Sequence, residues 1–476
     1  MSNDLFDTNK EHVKLVFSSI EFIFRFLIIF LIAYFITPNK YKNVTLLMSS
    51  LIFYAFGEPK YVILMMISIV VNYYLAIIMD KSNRRKMWLV LAITLNVGVL
   101  FVFKYLGFFV DNINAIAGKE VISIGEVALP IGISFYTFQI ISYIVDVYRK
   151  KFPVEKSIVP FATYVSMFPQ LIAGPIVNYD EVRGEMAERK VTSKDIEAGC
   201  VAFVIGLFYK VFLANQMGTL WNSIQTAGVF GITTPVAWLG AWGYSFQLYF
   251  DFAGYSMMAI GLGRMMGFYL PMNFWNPYVS KSVTEFWRRW HITLGRWFRD
   301  YVYIPLGGNR CGKARMLFNL FITWVLTGLW HGASWNFVIW GLMLFVILMI
   351  EKLCIYERLN KSKVVGHIYM FMLIPVTWMV FAIDGIKNAI LYIARMFAVP
   401  LQGTIELDGA ELFGKYVGEY WWLFAICIVC ATAIPMNLVD KFYNKIIVKI
   451  ILVILFWICV RQMLISGENP FLYFRF

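Results

Sequence analysis

The stretch LTGLWHGASWNFVIWG, residues 326–341, decides the fold class. It lies inside an apolar segment from Phe318 to Ile350, which is longer than the roughly 20 residues that cross a bilayer as a helix. Similar apolar segments recur along the 476 residues, of which 60% are hydrophobic and only 15% charged. Because this composition excludes soluble globular, fibrous and disordered chains, the sequence predicts an all-α polytopic membrane protein.

His331 is the titratable residue of that stretch, and it is one of only four histidines in the chain. An imidazole at membrane depth needs polar partners, so it is either a buried histidine hydrogen-bonded between helices or a catalytic base. Gly328 and Gly332, four positions apart, permit another backbone to approach closely. On a continuous helix, the residues that share the face of His331 are Thr327, Ser334 and Trp335.

The positive charges indicate membrane topology. The net charge is +13, but the cations stand in short runs between apolar segments, which favours a lipid bilayer over a nucleic-acid partner. The positive-inside rule assigns residues 40–42, 81–86, 149–151 and 441–449 to the cytoplasm. It therefore predicts that the N-terminus and the C-terminus are both extracytoplasmic.

The chain is predicted to form a single transmembrane domain over residues 18–476, because it shows no internal repeat and no long polar linker. Residues 1–17 form a polar extension, and residues 471–476, FLYFRF, form an aromatic tail. Cys427 and Cys430 make a CxxC pattern inside an apolar helix, where packing explains them better than redox or zinc chemistry. We therefore expect no metal site and no tightly bound cofactor.

Two polar segments interrupt the apolar pattern upstream of His331. The segment QLYFDFAGYS, residues 247–256, sets Asp251 among aromatic residues, either as a helix-end carboxylate or as part of a site. The segment FWRRWHITLGRWFRDY, residues 286–301, predicts an aromatic and basic helix that lies at the interface or enters the membrane part way. His291, on its aromatic face, is either structural or directed into a reaction chamber.

Six ordered motifs carry a resemblance to a known family. They are SFYTFQ (134–139), FPQLIAGPI (168–176), DFAGYS (251–256), FWRRWHI (286–292), YIPLGGNR (303–310) and LWHGASWN (329–336). From about Val16 to the C-terminus the chain resembles the membrane-bound O-acyltransferases, and among them the bacterial alginate O-acetyltransferase branch. The resemblance implies a helical bundle around a central funnel or tunnel, with re-entrant or interfacial helices, in a bacterial cell membrane.

The same resemblance implies roles for individual residues. His331 matches the buried catalytic histidine at the narrow point of the funnel, and His291 matches an earlier motif histidine. Asp251, Asn276 and Arg289 match polar positions and are expected to line the cavity.

Acyl transfer from a thioester to a hydroxyl agrees with these roles. The attacking hydroxyl must lose its proton, and a neutral imidazole is suited to accept it, which makes His331 the expected base. The oxyanion of the tetrahedral intermediate needs hydrogen-bond donors, for which Trp335 Nε1, Asn336 and His291 are alternatives.

The expected donor is a cytoplasmic thioester such as acetyl-CoA, whose phosphates attract cations. Two groups of cations are candidates to bind it, although membrane topology already explains both. One group is the run 149–151, and the other comprises Arg310, Lys313 and Arg315.

The tail offers a second hypothesis, because similar aromatic endings occur in the alginate O-acetyltransferase branch. Tyr473 is either an acyl relay, since a phenol ester is activated toward further transfer, or part of an aromatic belt at the interface. A relay would pass the acyl group to a probable extracytoplasmic SGNH-type acyltransferase that completes O-acetylation of a polysaccharide. The acceptor polymer is not encoded in any motif of this sequence.

Two other functions remain open at this point. A D-alanyl transfer protein for teichoic acid would share the histidine motifs, but in that system the aromatic ending belongs to a separate peptide. A transporter without transferase activity would also carry polar residues at membrane depth. It would show interrupted helices in corresponding halves of the chain, which we do not find in the sequence.

Overall fold

The computed structural model describes residues 16–125, 127–171, 174–401, 409–466 and 471–472. These residues are mostly helical and contain no β-strand, which confirms the predicted all-α class. Aromatic and aliphatic side chains fill the interior, while many large apolar side chains are exposed at the periphery. Such an apolar exterior is typical of helices that face lipid.

The α-helices are numbered in chain order. Those of the first half are α1 (Leu27–Ile36), α2 (Lys42–Gly57), α3 (Tyr61–Lys81), α4 (Arg85–Leu100), α5 (Leu106–Ala117), α6 (Ile133–Tyr148), α7 (Ile158–Ser166), α8 (Phe168–Leu171), α9 (Tyr179–Ala187), α10 (Ser193–Leu207) and α11 (Asn215–Ala227). Those of the second half are α12 (Thr234–Met265), α13 (Val283–Arg289), α14 (Ile292–Phe298), α15 (Lys313–His331), α16 (Trp335–Ile350), α17 (Tyr356–Lys361), α18 (Lys363–Ala382), α19 (Ile386–Met396), α20 (Gly409–Cys430), α21 (Ile434–Phe442) and α22 (Ile446–Ser466).

Several helices are joined by π-helical turns, in which the hydrogen bonds span one more residue than in an α-helix. Such turns are uncommon and often lie at functional sites. The π-helical turns are Phe22–Phe26, Phe101–Tyr105, Phe208–Ala214, Arg299–Tyr303 and Glu351–Ile355. Two of them carry buried or partly buried lysines, Lys104 and Lys210.

Seven helical segments within the described chain are long and apolar enough to cross a membrane. They are Tyr61–Lys81, Arg85–Ala117, Ser193–Ala227, Trp335–Leu359, Lys363–Ala382, Ala410–Cys430 and Ile446–Ser466. They confirm the prediction of a multi-pass membrane protein.

The long helix α12 forms the centre of the bundle and is buried along most of its length. Glycines allow it to pack directly against the backbone of α10. A Cβ atom added to Gly206 would lie 2.5 Å from the carbonyl oxygen of Gly254, and one added to Gly261 would lie 2.5 Å from that of Gly199. This close packing brings the polar residues of α12 next to the π-helical turn that follows α10.

The apolar segment from Phe318 to Ile350 folds as two helices with a break at residues 332–334, so the predicted shared face of His331 and Trp335 is wrong. Helix α15 ends at His331, Gly332 is extended, and α16 begins at Trp335. The two helices form a closely packed hairpin, because Gly328 has no Cβ atom that would collide with the Phe337 carbonyl oxygen. Gly328 therefore serves the close approach predicted for it, and His331 stands at a helix end.

The predicted continuous helix over residues 286–301 is also interrupted. Helix α13 ends at Arg289 and α14 begins at Ile292, with His291 between them in the left-handed region at φ +44°. The segment instead folds as two short helices separated by Trp290 and His291. His291 lies at the break, so the direction of its ring is set by the turn between the helices and does not follow from helical spacing.

The N-terminal end of the described chain packs into the bundle. Val16 and Phe17 are buried, and the Phe17 ring stacks on Tyr255 with centroids 4.5 Å apart. The rest of the predicted extension, residues 1–15, lies outside the described residues.

Candidate active site

His331 lies in an aromatic enclosure at the end of α15, and only 6% of the residue is exposed. Its ring meets three others edge-on: Trp330, Trp340 and Phe381, at centroid distances of 4.9, 5.1 and 5.2 Å. Bulky rings on several sides exclude water from the imidazole, which strengthens electrostatic interactions there.

The backbone at the end of α15 is held from another helix. Lys104 Nζ donates a hydrogen bond to the Trp330 carbonyl oxygen at 2.5 Å, and the Tyr105 hydroxyl donates one to the Leu329 carbonyl oxygen at 2.9 Å. The last carbonyls of a helix lack partners within the helix, and a cation favours the negative end of the helix dipole. Lys104 and Tyr105 therefore cap the helix that ends in His331.

His291 is the second buried imidazole and is 2% exposed. Its Nδ1 lies 3.0 Å from Asn273 Oδ1, and the Phe252 ring meets it edge-on at 4.6 Å. The Trp330 ring is 5.8 Å from His291 as well as 4.9 Å from His331. The structure thus brings the two motif histidines to the same aromatic residue.

Asp251 is a buried anchor for the end of the chain. Its Oδ1 lies 2.5 Å from Lys210 Nζ, and its Oδ2 accepts a hydrogen bond from the Leu472 backbone N–H at 3.0 Å. Phe471 packs on the rings of Tyr255 and Phe252 at 4.9 and 5.7 Å. Because Phe252 also contacts His291, Phe471 lies one ring away from His291.

Tyr473 itself lies outside the described residues. It is the residue that follows Leu472 in the sequence.

A cavity of about 430 Å³ borders this cluster. Its wall includes residues 332–334, which directly follow His331, together with Gln247 and Leu472. Most of its other described lining residues are polar or small, namely Asn215, Gly218, Thr219, Asn222, Ala382 and Asp384. A polar opening therefore reaches both the His331 loop and the end of the described tail.

A larger cavity of about 880 Å³ lies between α12, α18 and α20. It is lined mostly by apolar and aromatic residues such as Trp242 and Phe371, with His367 and Thr432 among its few polar ones. The described lining of neither cavity includes His291 or His331, but that of the smaller one includes residues 332–334, which directly follow His331.

Asn276 and Arg289 belong to the same local turn, since the Trp275 N–H donates to the Arg289 carbonyl oxygen at 2.9 Å. Arg289 Nη2 is 2.7 Å from Glu285 Oε1, and its guanidinium stacks over the Trp275 ring at 4.7 Å. Asn276 has φ +45° and begins the short turn Pro277–Val279. The contacts of both residues are those of a local turn, and neither residue lines the cavity beside His331 among its described wall residues.

Trp335 and Asn336, the candidate oxyanion donors after His331, have other partners. Trp335 is 54% exposed, and its Nε1 donates a hydrogen bond to Asn112 Oδ1 at 2.8 Å. Asn336 Nδ2 donates to the carbonyl oxygens of Val380 and Ile383. The break between α15 and α16 is the reason, because it turns both side chains away from the direction a continuous helix would give them.

The candidate donor-binding cations lie at the far end of α15 from His331. Arg310, Lys313 and Arg315 are exposed. The 18 positions from Lys313 to His331 correspond to roughly 27 Å of helix. Lys151 is already paired with Asp146 and Asp180 at 3.4 and 3.3 Å.

Sequence reasoning missed Asn273, Lys104 and Lys210. The signal for the two lysines is a cation inside an apolar segment, which is costly unless it is satisfied. Asn273 carries no comparable signal, because an amide in a connection between helices is ordinary. Among the described residues, no group of three or more His, Cys, Asp or Glu side chains is arranged to hold a metal ion.

Comparison with known proteins identifies the family. The sequence model of MBOAT, the membrane-bound O-acyltransferase family, matches residues 51–394. The chain belongs to this family. It is 37% identical to the probable alginate O-acetylase AlgI of Pseudomonas putida, over 97% of this chain and 100% of that protein.

Two other relatives differ in their acceptors. The peptidoglycan O-acetyltransferase of Helicobacter pylori is 34% identical over 84% of this chain and 81% of its own length. The teichoic acid D-alanyltransferase of Bacillus subtilis is 30% identical over only 49% of this chain and 60% of its own length. Family membership and these relatives confirm a multi-pass membrane O-acyltransferase.

Proposed function

We propose that this enzyme moves an acetyl group from a cytoplasmic thioester, acetyl-CoA, across the membrane for O-acetylation of an extracytoplasmic polysaccharide. The observation that carries the proposal is that both histidines contact the Trp330 ring, while Leu472, at the end of the described chain, lines the same polar cavity as the loop after His331. The O-acetylase relatives, which match far more of the chain than the D-alanyltransferase does, support acetyl as the acyl group.

His331 acts as the base in the proposed reaction. A hydroxyl oxygen attacks the thioester carbonyl carbon, and its proton passes to the imidazole as the new C–O bond forms. The C–S bond then breaks, and the thiolate takes the proton back from the imidazolium. The aromatic enclosure supports this role because it keeps competing water away from the thioester.

Tyr473 relays the acetyl group in this proposal. Its phenol oxygen is the first hydroxyl to attack, and the resulting ester passes the acetyl group to the hydroxyl of a second acceptor, which returns a proton to the phenol. The anchoring of Leu472 by Asp251 supports the relay, since the residue before Tyr473 borders the cavity. A separate SGNH-type acyltransferase receives the acetyl group outside the membrane and completes polysaccharide acetylation.

The proposed orientation has both termini extracytoplasmic in a bacterial cell membrane, with residues 18–476 forming one transmembrane domain. Its support is the distribution of cationic runs. The exposed group Arg310, Lys313 and Arg315 then faces the cytoplasm, where an elongated donor can contact it while its thioester extends toward His331. Single-cysteine labelling in intact cells tests this: residues 81–86 and 149–157 should be protected, and labelling of position 86 from outside contradicts the map.

Purified protein in liposomes with radiolabelled acetyl-CoA tests the chemistry directly. The intact chain should transfer label to the protein or to an added glycan, and His331→Ala should not. His367→Ala is the matched control, because His367 is exposed and its Nε2 lies 3.2 Å from the Val279 carbonyl oxygen, in the wall of the larger cavity. If the intact chain transfers D-alanine from a carrier protein but no acetyl group, the proposed donor is wrong.

A further inference from the structure

We infer that Asn273 holds His291 in the tautomer with its proton on Nδ1, so that Nε2 accepts the hydrogen bond of an acyl-accepting hydroxyl. The inference starts from a single oxygen atom. Asn273 Oδ1 lies 3.0 Å from His291 Nδ1 and accepts hydrogen bonds from the Thr293 backbone N–H at 3.3 Å and the Thr293 hydroxyl at 2.9 Å.

The orientation of the Asn273 amide follows from these partners. A backbone N–H can only donate, so the atom that faces the Thr293 N–H must be the amide oxygen and not the amide nitrogen. The Thr293 hydroxyl accepts the Ile176 N–H at 3.0 Å, which leaves its own proton for Asn273. Both hydrogen bonds from Thr293 therefore require that the amide atom facing Thr293 and His291 is the Asn273 oxygen.

The tautomer of His291 follows from the orientation of the amide. An amide oxygen carries no hydrogen, so the proton between it and His291 must belong to Nδ1. A neutral imidazole has one N–H, and its other nitrogen presents a lone pair. Nε2 of His291 is therefore an acceptor, and the neutral ring does not donate a hydrogen bond from Nε2 to an oxyanion.

The backbone holds the ring in this position as well. The Ile292 N–H donates to the Asn273 carbonyl oxygen at 2.9 Å, and His291 itself has φ +44°, a conformation that side-chain-bearing residues adopt only when neighbours enforce it. Asn273 thus binds His291 through its side chain, and it binds Ile292 through its backbone carbonyl. Asn273 is a positioning residue.

Nε2 of His291 is buried and makes no hydrogen bond with any residue in the described part of the chain. Its surroundings are the rings of Phe252, Phe274 and Trp330. Of these only Trp330 carries a donor, its indole N–H, and that group makes no hydrogen bond to Nε2. A buried acceptor without a partner is uncommon in a folded protein and calls for a ligand group that supplies the donor. A hydroxyl that enters the aromatic cluster supplies one.

The tautomer of His291 does not depend on the proposed function, but the proton-accepting role given to Nε2 rests on it. The proposed relay contains two transfers, and each must remove one hydroxyl proton. His331 takes one proton and Nε2 of His291 takes the other, while the bond from the acyl carbon to sulfur or to the phenol oxygen breaks and the leaving group is reprotonated. His291 is then a catalytic acceptor rather than an oxyanion donor.

The tautomer is measurable without any assay of activity. The chain has four histidines, so labelling with ¹⁵N-histidine gives few signals, and His291→Gln identifies those of His291. We expect a protonated Nδ1 and a bare Nε2 in the intact protein. Asn273→Asp, which keeps an acceptor oxygen, should preserve this pattern, whereas Asn273→Ala should yield a mixture of tautomers.

We expect kcat to fall in the order intact protein, Asn273→Asp, Asn273→Ala. Asn273→Ala should lower kcat at least tenfold while leaving KM for the thioester unchanged, and Asn273→Asp should recover part of the loss. Asn96→Ala is the matched control, because Asn96 is a buried amide that bonds to Asn72 and the Ala92 carbonyl. It should leave both the His291 signals and kcat unaltered.

A protonated Nε2 and bare Nδ1 in the intact protein overturns the inference, as does an Asn273→Ala variant with unchanged signals and unchanged kcat. Neither result bears on the proposed acetyl transfer. Conversely, a chain with the expected tautomer that never transfers an acetyl group refutes the proposed function and leaves the assignment of Asn273 standing.

Discussion

The two histidines lie at helix ends, but the protein fixes them by opposite means. At His331, Lys104 and Tyr105 donate hydrogen bonds to the preceding backbone carbonyls, and aromatic rings surround the imidazole. At His291, the side chain of Asn273 holds the ring nitrogen directly. The contrast teaches that His331 is positioned through the backbone of its helix, whereas His291 is positioned through a side-chain contact to its ring.

Replacing each imidazole tests whether the two positions differ in importance. His331→Ala should reduce acetyl transfer by about 10²–10⁴-fold, the usual contribution of a general base, without loss of membrane insertion. The measurement is transfer of radiolabel in liposomes, with size-exclusion chromatography to confirm folding. Equal losses in His331→Ala and His291→Ala would remove the distinction between them.

The hydroxyl of Tyr473 tests the proposed relay. Tyr473→Phe should abolish polymer acetylation because it removes the nucleophile and keeps the ring. Mass spectrometry of the C-terminal peptide should detect an acetyl adduct in the intact chain and none in the variant. An aromatic belt would tolerate the change, so normal acetylation together with an unmodified peptide excludes the relay.

The cap on α15 tests positioning through the backbone. Lys104→Met keeps the length of the side chain but removes the donor, and a displacement of His331 near 1 Å should lower kcat roughly 10- to 100-fold. Tyr105→Phe removes the weaker neutral hydrogen bond and should cost less. Lys86→Met, an exposed lysine at the start of the same helical segment, serves as the control. An unchanged kcat in Lys104→Met would show that the cap does not position His331.

The smallest effect is expected at Trp335. Its indole is more than half exposed and bonded to Asn112, so Trp335→Phe should change kcat less than twofold, since one exposed hydrogen bond contributes only about 1 kcal/mol to stability. Trp330→Phe is the matched change at the ring that contacts both histidines, and it should have the larger effect. A greater loss at Trp335 would return it to the list of oxyanion donors.

Much of the fold was predictable from sequence because membrane insertion depends on a sum over local residues. Long apolar segments indicate spans whatever they pack against. The ordered motifs, including the pair His291 and His331, indicated the family that the comparisons confirm. The helix breaks at both histidines were missed, because local hydrophobic pattern does not distinguish one long helix from a hairpin closed by Gly328.

The sequence by itself determined the membrane location, the helical class and the two histidines, since each is a property of composition or of a short motif. Only the tertiary structure decided the partners: Lys104 with Trp330 across 226 positions, and Asp251 with Leu472 across 221. Burial makes an unsatisfied polar group costly, so such groups must find partners, but chain topology decides which distant group lies within reach. The order of residues along the chain carries no direct record of that choice.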